Sequence, residues 1–316
     1  ETAFLERIAH NLGIAADLSR ADILMCAPPG RRCVVVHQSR PHSMAPVYRQ
    51  DLVGSPLPMA EAEQLERVFT STRPLTEEVV RWGETAPLVR QMLPVVSPAG
   101  KSIAVVTIET NLIEHERHRR RHPQFRRALR SWQRRALQDE IPGVTELLPF
   151  GEQDGIVFVD EQRRIRYLSG IATSFYRRLG YMDQLVDRHL DVLETGDDEL
   201  VGRTLDQGRC FWQEAAGQGR EWIRQALPVP LSPVRPWWRR ISRRGSTDGL
   251  CGALLLVKDV TEERRRLREL QVKSAMIQET HHRVKNNLQT IAALLRMEAR
   301  RTTSPEARQV LEESMN

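Results

Sequence analysis

The chain has 316 residues, of which 40% are hydrophobic and 28% are charged, and its net charge is +6. This apolar share excludes a disordered chain, and the length predicts two or three domains. No apolar run reaches the roughly 18 to 20 residues of a membrane span. The first residues also lack the basic and then apolar pattern of a signal peptide. We therefore expect a cytoplasmic protein with no membrane partner. The chain starts on Glu and stops inside a helical pattern, so we expect both ends to be trimmed.

One arginine-rich segment accounts for the positive charge, because residues 114–135 contain nine Arg and two Glu. We interpret it as a solvated helix face, or as a helix bonded to acids of a neighbouring domain, rather than a nucleic-acid site. The spacing of His115, His118 and His122 would allow a metal, but the flanking arginines disfavour a cation there, so we predict no metal. The four cysteines form no C-x-x-C pair and are treated as reduced, small apolar residues.

The first module is predicted to be an α+β sheet with helices on one face. A helix with a basic face follows over 111–139, interrupted at Pro123, and Ile141-Pro142-Gly143 predicts a domain boundary near 142. The predicted elements before that helix are a helix over 4–20, strands over 21–26 and 33–37, a helix over 60–70, and strands over 93–97 and 103–109.

The second module is predicted to contain two strands, short helices and then three strands. The stretch 228–245 carries four Pro and Trp237-Trp238, and it predicts an extended loop or an irregular hairpin. The predicted elements are strands over 155–160 and 165–169, helices over 172–179 and 197–207, and strands over 210–215, 221–229 and 250–258.

The order of this second module resembles that of PAS domains. The closing phrase LLLVKDVT, residues 254–261, resembles the end of PAS domains, where an Asp-x-Thr step leads the last strand into an exit helix. The resemblance implies that Asp259 and Thr261 transmit a signal from the sheet to the helix. Thr261 is also a suitable N-cap for that helix.

A long helix is predicted from Thr261, with no Gly or Pro before Pro305. Apolar residues in it repeat at alternating steps of three and four, which is the seam of a coiled coil. A second helix over 306–315 would complete a hairpin, and two hairpins would form a dimeric four-helix bundle. We call the following set the seam: Leu267, Leu270, Ser274, Ile277, His281, Val284, Leu288, Ile291 and Leu295.

The segment ETHHRVKNNLQT, residues 279–290, lies inside this helix. It resembles the phosphoacceptor box of sensor histidine kinases with the motif H-R-x-K-N-N, relatives of the HWE kinases. His281 falls on the seam, whereas His282 is rotated by about 100° and should reach solvent. A nucleophilic imidazole needs an open position, so we predict that His282 is the phosphoacceptor.

Three further residues are candidate catalytic groups around His282. Lys285 and Asn286 lie three and four residues later on the same face, where a cation could steady phosphate oxygens and an amide could orient the imidazole. Arg283 occupies the place of the acidic neighbour found in more familiar histidine kinases. Glu279 is therefore the nearest carboxylate on that face.

The N-terminal module resembles the GAF-like domain of a cytosolic subset of these kinases, the PdtaS and EutW type. Phrases such as LGIAADLSRADILMC, residues 12–26, and APVYRQDLVGSPL, residues 45–57, carry this likeness. The resemblance implies a GAF-like domain over 1–142, a PAS-like domain over 143–260 and dimerisation and phosphotransfer helices over 261–316. It also implies a homodimer, use of ATP with Mg by the full-length protein, and a response regulator, of the RNA-binding antiterminator type in many relatives.

The segment after Pro305 is too short for an ATP-binding domain, so we expect this chain to accept phosphate without binding ATP. Two alternatives stay open. The first is a non-catalytic GAF and PAS ligand-binding adaptor that dimerises through its last helices. The second is a nucleic-acid-binding protein that uses the arginine-rich segment. No binding motif identifies the small-molecule signal.

Overall fold

The computed structural model describes residues 1–27, 33–48, 50–57, 59–79, 87–119, 122–230 and 250–301. The chain forms two compact units, residues 1–259 and 260–316. The first unit contains two five-stranded antiparallel sheets with their helices. The second unit contains the long helix.

The first sheet has the strand order β2-β1-β5-β4-β3, and every pair in it is antiparallel. Its elements are α1 (Thr2–Ser19), β1 (Asp22–Cys26), β2 (Val35–Ser39), α2 (Met59–Ser71), β3 (Leu75–Val79), β4 (Leu88–Val96), β5 (Ser102–Asn111), α3 (Leu112–Arg119) and α4 (Pro123–Ala136).

Helices cover both faces of this sheet, so the prediction of helices on one face is wrong. Helix α2 packs with Leu24, Met92 and Val105 on one face. Helices α1 and α4 pack on the other face, with side chains such as Ile23 and Val106. Successive strand residues point to opposite faces, and nearly every residue of β1 and β5 is buried, so both faces must be covered.

Strand β3 was not predicted. Its sequence, LTEEV, contains two adjacent glutamates and lacks the apolar enrichment typical of strands. It forms the edge of the sheet beside β4 and pairs Glu77 with Arg90 across the two strands. The other predicted strands and helices of this module are present, with ends shifted by a few residues.

The arginine-rich segment forms α3 and α4, separated before Pro123 as predicted. Pro123 is the first residue of α4, a position where its missing N–H costs no hydrogen bond. The apolar face of α4 is deeply buried, with Phe125 and Trp132 fully inaccessible, while Arg127 and Arg130 are exposed. The helix is therefore a structural element with one charged face.

The second sheet has the order β7-β6-β10-β9-β8 and is also antiparallel throughout. It repeats the 2-1-5-4-3 order of the first sheet. Single turns of 3-10 helix lie at Val144–Glu146 and Leu190–Val192. The elements are β6 (Gly155–Asp160), β7 (Ile165–Leu168), α5 (Gly170–Arg178), α6 (Asp197–Gln207), β8 (Phe211–Gly217), β9 (Arg220–Pro230) and β10 (Leu250–Asp259).

The predicted loop at 228–245 begins later than expected. Strand β9 continues to Pro230, and Val229 pairs with Gly252 of β10. A Cβ at Gly252, where φ is +150°, would lie 2.0 Å from the carbonyl oxygen of Val159, so this bulge requires glycine. The remainder of the predicted loop, 231–245, lies outside the described residues.

One hydrophobic cluster joins the two sheets. Helix α4 packs on β9 of the second sheet and also on α1, which covers the first sheet. Ser131 Oγ of α4 donates to the carbonyl oxygen of Pro230 at 2.6 Å. The apolar side chains of α1 and α4 are therefore buried between the two sheets and hold them together in one unit. Representative members of the cluster are Ile8, Leu12, Trp132, Phe158 and Leu254.

Helix α7 (Thr261–Arg301) forms the described part of the second unit. The predicted break at 301–305 and the second helix over 306–315 lie almost wholly outside the described residues. The helical hairpin and the dimeric four-helix bundle therefore stay predictions.

Candidate phosphoacceptor site

The predicted phosphoacceptor box lies in the interior of α7, about five turns after its first residue and about three turns before its last. Helix α7 carries Glu262 and Glu263 in its first turn and Arg300 and Arg301 in its last, which suits the helix dipole at both ends. The whole box, residues 279–290, is helical. Side chains that are three or four residues apart therefore share a face.

The helix begins at Thr261, but this residue is not the N-cap that the sequence predicted. The N–H of Arg264 donates to the carbonyl oxygen of Val260 at 2.9 Å. The first helical bond thus ends on Val260, which places Thr261 at the first helical position. The helix starts one residue earlier than the side-chain preference of Thr suggested.

Asp259, the other predicted transmission residue, ends β10. Its Oδ2 accepts a hydrogen bond from Arg220 at 3.0 Å and lies 3.9 Å from a guanidinium nitrogen of Arg178. Arginines from β9 and α5 therefore hold the last residue of the sheet. In the sequence, Asp259 is followed directly by the residue that accepts the first bond of α7.

Apolar seam residues are accessible along α7 in the single chain. Ser274 and His281 are exposed as well, and Leu295 is half-buried. An apolar row of this length is a surface that a partner helix would cover. The exposed fractions lie between 49% and 61% for Leu267, Leu270, Ile277, Val284, Leu288 and Ile291.

His281 and His282 are both exposed in the single chain, so accessibility alone does not distinguish them. Their positions on the helix do. His281 shares its face with Ile277, Val284 and Leu288, whereas His282 is rotated by about 100° from His281. A helix that covered the seam would cover His281 and leave His282 open.

The predicted catalytic neighbours of His282 lie on α7 before and after it. Glu279 Oε1 accepts a hydrogen bond from Nε of Arg283 at 2.8 Å. Lys285 and Asn286 lie on the face of His282 and are exposed. Within the described residues, no hydrogen bond joins His282 to Glu279, Lys285 or Asn286. The sequence placed the acid near the histidine but did not predict that Arg283 would hold it.

A buried charged cluster in the first sheet escaped the sequence prediction. Arg90, 2% exposed, lies 2.8 Å from Glu109, 3.0 Å from Glu61 and 3.5 Å from Glu77. Tyr48 donates to Glu109 Oε2 at 2.6 Å. Burial acts to lower the pKa of Arg90, but the adjoining carboxylates outweigh it and raise that pKa. No signal for it was visible in the sequence, because Arg90 lies before the strand predicted over 93–97.

Asp22 lies in the same sheet, on β1 beside Glu109 of β5. Its Oδ2 accepts from the backbone N–H of Val47 at 2.5 Å. Burial, with a further contribution from Glu109, raises the pKa of Asp22 to about 6. The carboxyl therefore holds its proton to a higher pH than an exposed aspartate does.

The second sheet has its own buried polar network around Asp197. Tyr176 donates to Asp197 Oδ2 at 2.7 Å, Thr195 donates to the same oxygen at 2.5 Å, and Arg224 lies 3.2 Å from Oδ1. Burial, followed by the charge of Asp197, raises the pKa of Tyr176. The network satisfies the carboxylate inside an aromatic core that includes Phe175 and Trp222.

Within the described residues, no cluster of three or more His, Cys, Asp or Glu side chains could hold a metal ion. The side chain of His118, from the predicted His triplet, lies outside this part. The four cysteines are free thiols. In the same part of the chain, no helix is long and apolar enough to cross a membrane.

Two family models match the chain. Residues 1–129 match the model described as histidine kinase PdtaS, GAF domain. Residues 279–316 match the histidine kinase model HisKA_2, and this match begins at Glu279 and includes the whole box.

Curated relatives match almost the whole chain. Sensor histidine kinase PdtaS of Mycobacterium tuberculosis is 29% identical over 341 residues, which cover 98% of this chain and 63% of the relative. The PdtaS protein of Mycolicibacterium smegmatis is 29% identical over 330 residues with the same coverage. The chain thus spans somewhat less than two thirds of the length of these relatives.

A solved structure described as the sensor region of a sensor histidine kinase has the same fold. It is 22% identical, has a TM-score of 0.56, and covers 82% of this chain and 92% of its own length. The chain is therefore similar to a GAF domain of the PdtaS type over its N-terminal part and to a histidine kinase domain of the HisKA_2 type at its C-terminal end, and it is similar to sensor histidine kinases along almost its whole length.

Proposed function

We propose that the chain is the sensor and phosphoacceptor region of a two-component histidine kinase that is phosphorylated on His282. The observation that carries this proposal is the HisKA_2 match, which begins at Glu279 and whose described residues, up to Arg301, form one continuous helix. The alternative of a non-catalytic adaptor gives the segment that matches this model no role.

The chemistry is a phosphoryl transfer in two steps. A ring nitrogen of His282 attacks the γ-phosphorus of ATP, the bond to the leaving ADP oxygen breaks, and the imidazole proton passes to a base. The phosphoryl group then moves to an aspartate of a response regulator, which restores the histidine. In the whole protein, ATP would be bound with Mg.

Three exposed side chains on α7 would assist these steps. Lys285 would neutralise charge on the transferring phosphoryl oxygens, and Asn286 would orient the imidazole or a water molecule. Glu279 would accept the imidazole proton once its carboxylate turns from Arg283 to His282. These assignments rest on the shared helix face.

We propose a homodimer formed through the seam. Six apolar seam residues that are about half exposed or more support it, since such a row is covered in coiled coils. Covering the seam would bury His281 and leave His282 accessible. A movement at Asp259 and Thr261 would then reach His282 as a rotation or register change of the helices.

The domain limits and partners belong to the same proposal. We assign a GAF-like domain to 1–142, a PAS-like domain to 143–260 and the phosphotransfer helices to 261–316. The partners would be a response regulator, of the RNA-binding antiterminator type that the sequence resemblance suggests, and a small-molecule signal. We assign the arginine-rich segment a structural role rather than nucleic-acid binding, since the apolar face of α4 packs within the first unit.

The test uses the full-length protein incubated with γ-labelled ATP, beside His281→Gln and His282→Gln variants. We expect acid-labile label in the parent protein and in His281→Gln, and none in His282→Gln. Label lost only in His281→Gln would keep the kinase and reverse the assignment of the phosphoacceptor. No label in any form would favour the adaptor.

A further inference from the structure

A cavity of about 230 Å³ lies in the first unit. Strands β4 and β5 form its floor through residues such as Gln91 and Thr110, and α3 and α4 form its walls. Gln91 and Arg90 are neighbours on β4 and point to opposite faces. The cavity is therefore separated by the sheet from the buried Arg90 cluster.

Helix α4 directs cationic side chains at this cavity. Arg126, Leu129 and Arg130 line it at the spacing i, i+3 and i+4, which places them on one face of the helix. The Nε of Arg126 is buried and has no hydrogen-bond partner. A buried donor without a partner is costly and rare in folded proteins, and a bound acceptor would satisfy it.

The charge around the cavity has one sign. His115 from α3 joins the two arginines in the lining, and none of the described lining residues is Asp or Glu. Glu114, the adjacent residue on α3, lies 3.6 Å from Arg20 and is not in the lining. An anion would thus meet no carboxylate among the described lining residues.

The cavity also has an apolar wall, made by Val89, Ile108 and Leu129. An apolar cavity of about 150 Å³ is large enough for benzene. The volume here therefore leaves room for a compact apolar body together with a carboxylate. A guanidinium is the side chain best suited to hold a carboxylate through two parallel hydrogen bonds.

We propose that this cavity binds a small organic acid, with its carboxylate on Arg126 and Arg130 and its apolar body against Val89 and Leu129. This site would lie between the sheet and α4, the helix that also packs on the second sheet. A ligand bound in this cavity would thus contact the helix that joins the two sheets. Binding can be measured directly and does not depend on phosphorylation of His282.

The first test uses the unaltered chain and matched probes in isothermal titration calorimetry. The probes are acetate, propionate, succinate, benzoate, benzamide and inorganic phosphate. We expect saturable binding of at least one of the organic acids, and for benzoate at least tenfold tighter binding than for neutral benzamide, which has the same shape. Equal binding of benzoate and benzamide would overturn the proposal, and so would phosphate binding tighter than every acid.

The second test removes one guanidinium. Arg126→Gln should weaken binding of the preferred acid at least tenfold, because the buried Nε and the other two nitrogens of the guanidinium are lost. Arg127→Gln is the matched control, since Arg127 lies on the same helix, is exposed and does not line the cavity. Equal affinities of the two variants for the acid would overturn the proposal. The absence of saturable binding by any of the acids at about 10 mM would overturn it as well.

Discussion

Glu279 Oε1 accepts a hydrogen bond from Nε of Arg283 at 2.8 Å, across one turn of α7 that contains His282. Both side chains are well exposed, at 61% and 76%, so the pair adds only about 0.3 to 0.5 kcal/mol to helix stability. A bond this weak can be exchanged readily. The carboxylate is therefore held on the helix turn that contains His282 without being fixed on Arg283.

This arrangement predicts a catalytic effect of Glu279 that is separable from stability. Glu279→Gln should lower the rate of His282 phosphorylation by about 10²-fold, because a positioned base is lost. Glu262→Gln is the control, since Glu262 forms a similar exposed pair with Arg265 at 3.0 Å, far from the box. The measurement is the initial rate of labelling in the full-length protein. An unchanged rate in Glu279→Gln would give the carboxylate a structural role only.

The seam predicts a charge-sensitive dimer. Ile277→Glu should raise the dimer dissociation constant at least a hundredfold, because it places two carboxylates in an apolar interface. Gln271→Glu adds the same charge about 100° away from the adjacent seam residue Leu270, and it should leave the dimer intact. Sedimentation equilibrium over a range of concentrations distinguishes the two. Equal dissociation constants would argue against the seam as the interface.

The Arg90 cluster predicts a large effect on stability. Arg90→Met should lower the free energy of unfolding by about 3 to 5 kcal/mol, because it leaves Glu109 and its neighbours buried without a cation. Arg7→Met breaks a pair of equal length, 2.8 Å to Asp139, in which both side chains are about half exposed. We expect a loss of at most about 1 kcal/mol there. Urea unfolding measures both, and similar losses would contradict the role given to burial.

Asp22 predicts a pH dependence of stability. Its pKa is raised from 3.8 to about 6, so between these values the folded state retains a proton that the unfolded state releases. The free energy of unfolding therefore falls as the pH rises through this window. Asp22→Asn imitates the protonated form. The free energy of unfolding of Asp22→Asn, measured relative to that of the parent chain, should therefore rise by up to about 3 kcal/mol from pH 4 to pH 7.

Urea unfolding at several pH values checks this expectation for Asp22. Asp183→Asn is the control, since Asp183 is 74% exposed and should add no such trend. The buried Asp17, whose pKa is also raised, is common to all three chains and cancels in the comparison. A constant difference between Asp22→Asn and the parent would show that Asp22 titrates as an exposed acid.

Local sequence patterns were sufficient to predict those helices and strands whose hydrophobic periodicity is complete within their own residues. The strand GIVFVD was predicted at 155–160 and the helix at 197–207, and both have those limits. The long helix was predicted from 261 because its heptads continue without Gly or Pro. The box at 279–290 pointed to the segment that the histidine kinase model matches, since consecutive residues of a motif need no tertiary information.

Tertiary structure alone decided what depends on distant residues. Strand β3 forms where LTEEV pairs with β4 and Glu77 meets Arg90, and its two adjacent glutamates hide the strand from a reading of the sequence alone. The burial of α4 between two sheets depends on contacts such as that of Ser131 with Pro230, 99 residues apart. The charges of Arg126 and Arg130 look like a solvated face in the sequence, because only the folded sheet creates the cavity that they line.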